Sequence, residues 1–232
     1  MVVRRIALGR YVIVGVLTAL IFSLGLFLGM FIDNERVRWS LLANQEQQAK
    51  YKSLQFQYLY LSGLSNDNSS CGVFQKTLES TMVDLGASLD KIKQYQAESN
   101  FNDKNYDIVA SEYILDNLRY WLFARKASSV CNLNLVTVLY FYSDKSCPIC
   151  PNQGVVLTYY KNIFEDSLLV FPINVDYEQD ENSIQLLKSR YNITSLPSIV
   201  VGDTVYSGVV DKETLGPILC ESFARPIAGC PA

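Results

Sequence analysis

Cys147-Pro148-Ile149-Cys150 directly follows the apolar, β-rich run Leu135–Tyr142, and about fifty residues later comes Ser195-Leu196-Pro197-Ser198. Two thiols in a C-x-x-C at the mouth of a helix can trade a disulfide with another protein. Cys147 is expected at the helix N-terminus, where free N–H groups and the macrodipole favour a thiolate. Pro148 suits the first helical turn because its missing N–H has no partner there. The Cys147 thiolate would attack a client disulfide to form a mixed disulfide. Cys150, one turn along and more buried, would resolve it, and the reverse steps would oxidise a client. Lys145 beside the pair either lowers the thiol pKa or is an ordinary solvated lysine. A zinc site would need two further cysteine ligands from distant segments, and a purely structural Cys147–Cys150 bond is the bland alternative.

The residues around this pair alternate in β/α fashion. Leu135–Tyr142 reads as a strand and Asn152–Phe164 as a helix with Gly154 as its weak point. Ser167–Asp176 is a second buried strand and Glu181–Tyr191 a second helix. Ser198–Val201 and Thr204–Ser207 form a hairpin around Gly202-Asp203. Asp211 caps a last helix through Leu219, with Pro217 placing a bend or break in it.

Upstream, Gly72–Glu98 and Tyr106–Ala127 repeat apolar residues at helical spacing, divided by the polar break Ser99–Asn105. Two helices of similar length joined by a short turn pair antiparallel, which brings Cys71 beside Cys131. A disulfide there would close the open end of the hairpin and contribute about 4 kcal/mol in the chain-entropy model. Cys220 and Cys230 bracket a Pro/Gly-containing tail and are expected to close a small loop. All six cysteines of the 232-residue chain then have partners.

Nearer the start, Tyr11–Ile32 carries no charge and is long enough to cross a bilayer as a helix. Its apolar core exceeds that of a cleavable signal, and no small-x-small site precedes Asp33. Arg4, Arg5 and Arg10 precede the span, while Arg36 and Arg38 follow it, a modest bias for a cytoplasmic N-terminus. The remainder would then lie outside the cytoplasm. Six cysteines suit an oxidising compartment, and the sequons at Asn68 and Asn192 are compatible with that side. Asn34–Leu61 reads as a helix whose aromatic half (Tyr51, Phe56, Tyr58, Tyr60) either packs on the next helices as a stalk or faces a membrane partner; the Ser62–Ser70 stretch after it is a loop.

A net charge of −3 supplies no basic surface for nucleic acid. The absence of histidine excludes every Cys–His or Ser–His pairing and any His-containing metal site.

The order strand, C-x-x-C, helix, strand, helix, X-Pro, hairpin and terminal helix resembles the thioredoxin-like superfamily over about Val130–Ala224. The stretch Tyr191–Gly202 (YNITSLPSIVVG) is similar to that family's segment around its cis-proline. The resemblance implies an α/β thioredoxin-like domain, preceded here by an α-helical hairpin region and one N-terminal transmembrane helix. It implies a cis Pro197 resting against the C-x-x-C, with the Leu196 backbone left to pair with an extended client. Two positions depart from thioredoxin itself. Ser146 stands where that protein carries a Trp, and Phe141, six residues before Cys147, where it has a buried Asp assisting proton transfer. Pro148-Ile149 is closer to the C-P-x-C of glutaredoxins.

The expected organisation is a cytoplasmic segment 1–10, an anchor 11–32, a helical stalk and hairpin 33–129, and a thioredoxin-like domain with a tail at 130–232. The expected function is that of a single-pass, extracytoplasmic thiol–disulfide oxidoreductase acting on client proteins, with a membrane redox partner or complex possible and no metal or cofactor. The second reading is a non-catalytic client-binding subunit of a membrane complex, like the thioredoxin-like domains of oligosaccharyltransferases that hold clients through transient disulfides.

Overall fold

A computed structural model describes residues 8–63, 70–97, 103–177 and 182–230. The chain divides into two compact units, Met1–Leu64 and Ser65–Ala232. The first holds one helix, α1 (Leu8–Gly63). The segments expected as anchor and stalk are therefore one continuous helix, because no Gly-Pro punctuation or cap signal interrupts the run between them. Within it Val12–Met30 has a mean hydropathy of 2.5 and is wholly exposed, long and apolar enough to cross a membrane. Phe56 and Tyr60 lie exposed on α1 and stack at 5.9 Å. The helix takes in Ser62 and Gly63, and the rest of the expected loop through Ser69, with the sequon at Asn68, lies outside the described residues.

In the second unit α2 (Cys71–Ala97) and α3 (Asp103–Cys131) form a hairpin. The expected polar break is shorter than read, since residues 103–105 are helical and 98–102 lie outside the described residues. Cys71 and Cys131 are disulfide-bonded with Cα atoms 5.4 Å apart, so the two helices run antiparallel. Lys91–Glu112 at 3.0 Å, Arg119–Asp84 and Ser88–Asp116 cross the hairpin in the same antiparallel sense.

The sheet follows. Its strands are β1 (Val136–Tyr142), β2 (Leu168–Asn174), β3 (Ser198–Val201) and β4 (Thr204–Ser207), in the order β2-β1-β3-β4. β1 pairs parallel with β2 and antiparallel with β3, so the sheet is mixed. Pro172 is accommodated because β2 is an edge strand, where a missing N–H costs no ladder bond. Gly202 adopts φ +62° in the two-residue turn to β4, a conformation that glycine takes without a Cβ penalty.

Strand alternation in β1 sorts its side chains into two apolar layers. Leu139 and Phe141 join Ile114, Leu118, Trp121 and Ala124 of α3, with Ile184 and Leu187 of α5 (Asn182–Tyr191). Val136, Val138 and Tyr140 join Leu157 and Phe164 of α4 (Cys150–Phe164), with Leu215 and Leu219 of α6 (Lys212–Ser222). The hairpin thus forms one face of the sheet's own core. Arg125 of α3 reinforces it, donating to Asp203 at 3.0 Å and to the Tyr191 hydroxyl at 2.9 Å.

Asp211 caps α6 by accepting from the Thr214 N–H at 2.8 Å. The helix passes through Pro217 to Ser222, so the bend or break expected at Pro217 does not end it. Gly216 makes room for Tyr160, whose hydroxyl donates to the Lys212 carbonyl at 2.7 Å. A helical N-terminal region and a mixed four-stranded sheet covered by helices fit an α/β thioredoxin-like fold.

Candidate active site

The loop Ser143–Ile149 leaves the C-terminal end of β1 and delivers Cys147 to the head of α4. Cys147 and Cys150 are joined as a disulfide, their Cα atoms 5.4 Å apart. The Cys150 N–H donates to the Cys147 carbonyl at 3.2 Å, and Ile149 has φ −93° and ψ −8°. These are the marks of a type I β-turn with Pro148 at its second position, where a φ fixed near −65° is already correct.

The helix itself begins at Cys150, and the proline of its first turn is Pro151. Pro148 and Cys147 therefore precede α4 rather than start it, a correction to the expected placement. The reason is local: Pro151 has no N–H to donate to the Cys147 carbonyl, so the i→i−4 bond that would carry the helix back to Pro148 cannot form, and that carbonyl accepts from the Cys150 N–H instead. The macrodipole acts most strongly within the first turn, so it bears on Cys150 more than on Cys147. Cys147 is 6% exposed and Cys150 1%, and Ser146, Pro148 and Ile149 around Cys147 are exposed. Cys147 is the more exposed residue of the pair.

The approach to Cys147 is held through Ser143, Asn174 and Asp176, which sequence reasoning passed over. The Asp176 carboxylate accepts from the Ser143 hydroxyl at 2.6 Å, the Asp144 N–H at 2.9 Å and the Lys145 N–H at 3.1 Å. The Ser143 oxygen in turn accepts from the N–H and the hydroxyl of Ser146, each at 2.8 Å. Asn174 completes the set, donating to Asp144 at 2.8 Å and accepting from the Asp176 N–H at 3.0 Å. A short Ser-Asp-Lys-Ser turn beside a strand-end Asn-x-Asp carried the signal, but only the parallel β1–β2 pairing brings the two together.

Tyr140, also missed, donates its hydroxyl to the Cys150 carbonyl at 2.5 Å and stacks on Tyr142 at 5.2 Å. Burial, and then the nearby Asp144 charge, push its pKa up to about 12. Phe141, where thioredoxin holds an acid, is fully buried in the apolar layer facing α3.

Leu196-Pro197 is a cis peptide bond. Phe141 pairs with Ser198, so Pro197 precedes β3 at the end of the sheet from which the Cys147 loop emerges. The Pro197 carbonyl accepts from the Gly208 N–H at 2.8 Å. Among the described backbone bonds outside the regular elements, none involves Leu196, which is half-buried. Cys71 and Cys131 lie at the ends of the hairpin. Cys220 and Cys230 are bonded to each other beside an open pocket lined by Phe223, Pro226 and Ile227. Among the described residues no group of His, Cys, Asp and Glu side chains is placed to hold a metal ion.

No family model matches the chain, and neither does any curated protein. Among solved structures, one titled "Structure of a malarial protein" aligns at 18% identity and a TM-score of 0.33, covering 40% of this chain and 100% of that one. The germline-specific thioredoxin Deadhead of Drosophila melanogaster aligns at 20% identity and a TM-score of 0.31, covering 38% of this chain and 81% of that one.

Proposed function

We propose that this chain is a membrane-anchored thiol–disulfide oxidoreductase whose soluble unit works on the extracytoplasmic side. The observation that carries the reading is the Cys147–Cys150 disulfide, set in a turn at the head of α4, with Cys147 the more exposed residue of the two. In the reducing direction the Cys147 thiolate attacks one sulfur of a client disulfide. A Cys147–client bond forms, and the other client sulfur leaves as a thiolate. The Cys150 thiolate then attacks the Cys147 sulfur and expels the second client sulfur. The client gains two electrons and the Cys147–Cys150 bond is restored. In reverse, the same steps oxidise a client dithiol. Leu196, with an uncommitted backbone beside cis Pro197, would pair with the client as an added strand. The apolar span and the arginines around it support an anchor with its N-terminus in the cytoplasm.

A second reading is favoured by one observation. The position where thioredoxin keeps a proton-transferring acid holds the sealed ring of Phe141. A client-binding subunit of a membrane complex would need capture and not rapid turnover.

The test is to express Cys150→Ser in its native membrane and look for dithiothreitol-sensitive conjugates on Cys147, with Cys147→Ser as control. Conjugates together with turnover of a model disulfide by the wild type support the oxidoreductase. Conjugates without turnover favour the binding subunit, and no conjugates at all overturn both.

A further inference from the structure

Gln153 is fully buried on the inner face of α4, one turn beyond Cys150. Residues three apart share a helix face, and helical side chains lean toward the N-terminus, so the Gln153 side chain lies over the turn that contains Cys150. Its Oε1 accepts from the Val210 N–H at 2.7 Å. That contact fixes the amide's orientation, because a backbone N–H can only donate and must face oxygen. The Nε2 group is left buried, with no hydrogen-bond partner. A buried donor without an acceptor costs free energy and calls for a reason.

From this orphaned donor we infer that Gln153 is the positioning residue of the resolving thiol. Its Nε2–H donates to the Cys150 sulfur once the Cys147–Cys150 bond is reduced. The inference rests on the exchange reading of the pair. In the disulfide, Cys150 sulfur is neutral and a weak acceptor. As a thiolate in a water-poor setting it is a strong one, so the bond forms in the reduced state. The Tyr140 hydroxyl cannot supply this bond, because its single hydrogen is committed to the Cys150 carbonyl. A carboxamide stabilises the thiolate without accepting a proton. It therefore replaces the electrostatic part of the missing acid's work and leaves proton transfer to the client or solvent. The thiolate so held is the one that attacks Cys147 and expels the client sulfur.

The test uses the full chain in detergent or nanodiscs, reduced with dithiothreitol, with the rate of iodoacetamide labelling of each cysteine followed against pH by mass spectrometry. Gln153→Met is expected to raise the Cys150 labelling midpoint by about one pH unit, a tenfold loss of thiolate at a given pH, with the Cys147 midpoint unmoved. Above the variant's raised Cys150 midpoint, the variant's dithiol should be oxidised more readily than the wild type's, by up to about tenfold, in a glutathione buffer. A role limited to holding Val210 would lower stability and move neither quantity. Should Gln153→Met not fold, the wild type decides. With 15N-labelled glutamine, the Gln153 side-chain amide resonance should follow the Cys150 titration and be indifferent to pH in the oxidised chain. An unmoved Cys150 midpoint, or an amide resonance that ignores the titration, overturns the proposal. Failure of the exchange reading looks different: no conjugates on Cys147 and no turnover of a model disulfide, whatever the Cys150 midpoint.

Discussion

One carboxylate holds the approach to Cys147. Asp176 accepts three hydrogen bonds from Ser143, Asp144 and Lys145, and all three end at a single side chain. Asp176→Ala should lower stability by about 1–3 kcal/mol, since hydrogen bonds to charged groups are the stronger class. It should also speed reduction of Cys147–Cys150 by dithiothreitol as the turn loosens. Urea midpoints and a reduction time course check the two effects separately. Tyr140 supplies a pH signature. Its folded pKa is raised to about 12 by burial and by Asp144, so the neutral phenol is the form the fold favours. The stability this contributes is fully present below the ordinary value of 10 and is lost as pH rises from there toward 12. Denaturant midpoints of the wild type should therefore fall across that window, and Tyr140→Phe should flatten the fall. Half-buried Tyr142 and Tyr177 are shifted the same way and leave a residual slope.

At the scale of elements, α3 does most to unite the molecule's second half. It presents Ile114, Leu118, Trp121 and Ala124 to the layer that holds Leu139 and Phe141 of β1. It also ties the β3–β4 turn through Arg125 and Asp203. Trp121→Ala should cost about 3–5 kcal/mol, the range for removing a large core aromatic. The loss should appear in one cooperative transition common to hairpin and sheet, with far-UV circular dichroism and tyrosine fluorescence moving together. Separate transitions would show that the hairpin folds apart from the sheet. Periodicity made α2 and α3 legible as helices, because their apolar residues recur at helical spacing. It was silent on their partner, since an apolar helix face looks the same whatever it covers. The hairpin β3–β4 was legible to the residue, because Gly202-Asp203 is a two-residue turn between β-rich runs. The start of α4 was not, because Pro148 and Pro151 are both acceptable near a helix start and only backbone angles choose between them.

Over the whole molecule, the Cys71–Cys131 bond closes a loop across 60 residues. Replacing both cysteines with serine should lower the stability of the Ser65–Ala232 unit by about 4 kcal/mol in the chain-entropy model, measured by denaturant titration of the two forms. The Cys147–Cys150 bond spans three residues and constrains little chain, so it is the one expected to open first as reductant rises. Differential alkylation across a dithiothreitol series would rank the three bonds.

The proposed covalent chemistry was legible in one dimension. Cysteine spacing, the X-Pro downstream, the uncharged span and the absence of histidine carried the proposal of thiol exchange on a chain with one span long and apolar enough to cross a membrane, because each depends on residue type and local order alone. What surrounds the two sulfurs depended on three dimensions. Asp176 reaches the Cys147 loop through a parallel strand pairing, Tyr140 reaches the Cys150 carbonyl across a helix–sheet interface, and Gln153 reaches Val210 across 57 residues of chain. Hydrogen bonds between such distant residues leave no periodic trace in a sequence. Burial, which gives each of them its worth, is a property of the packed fold.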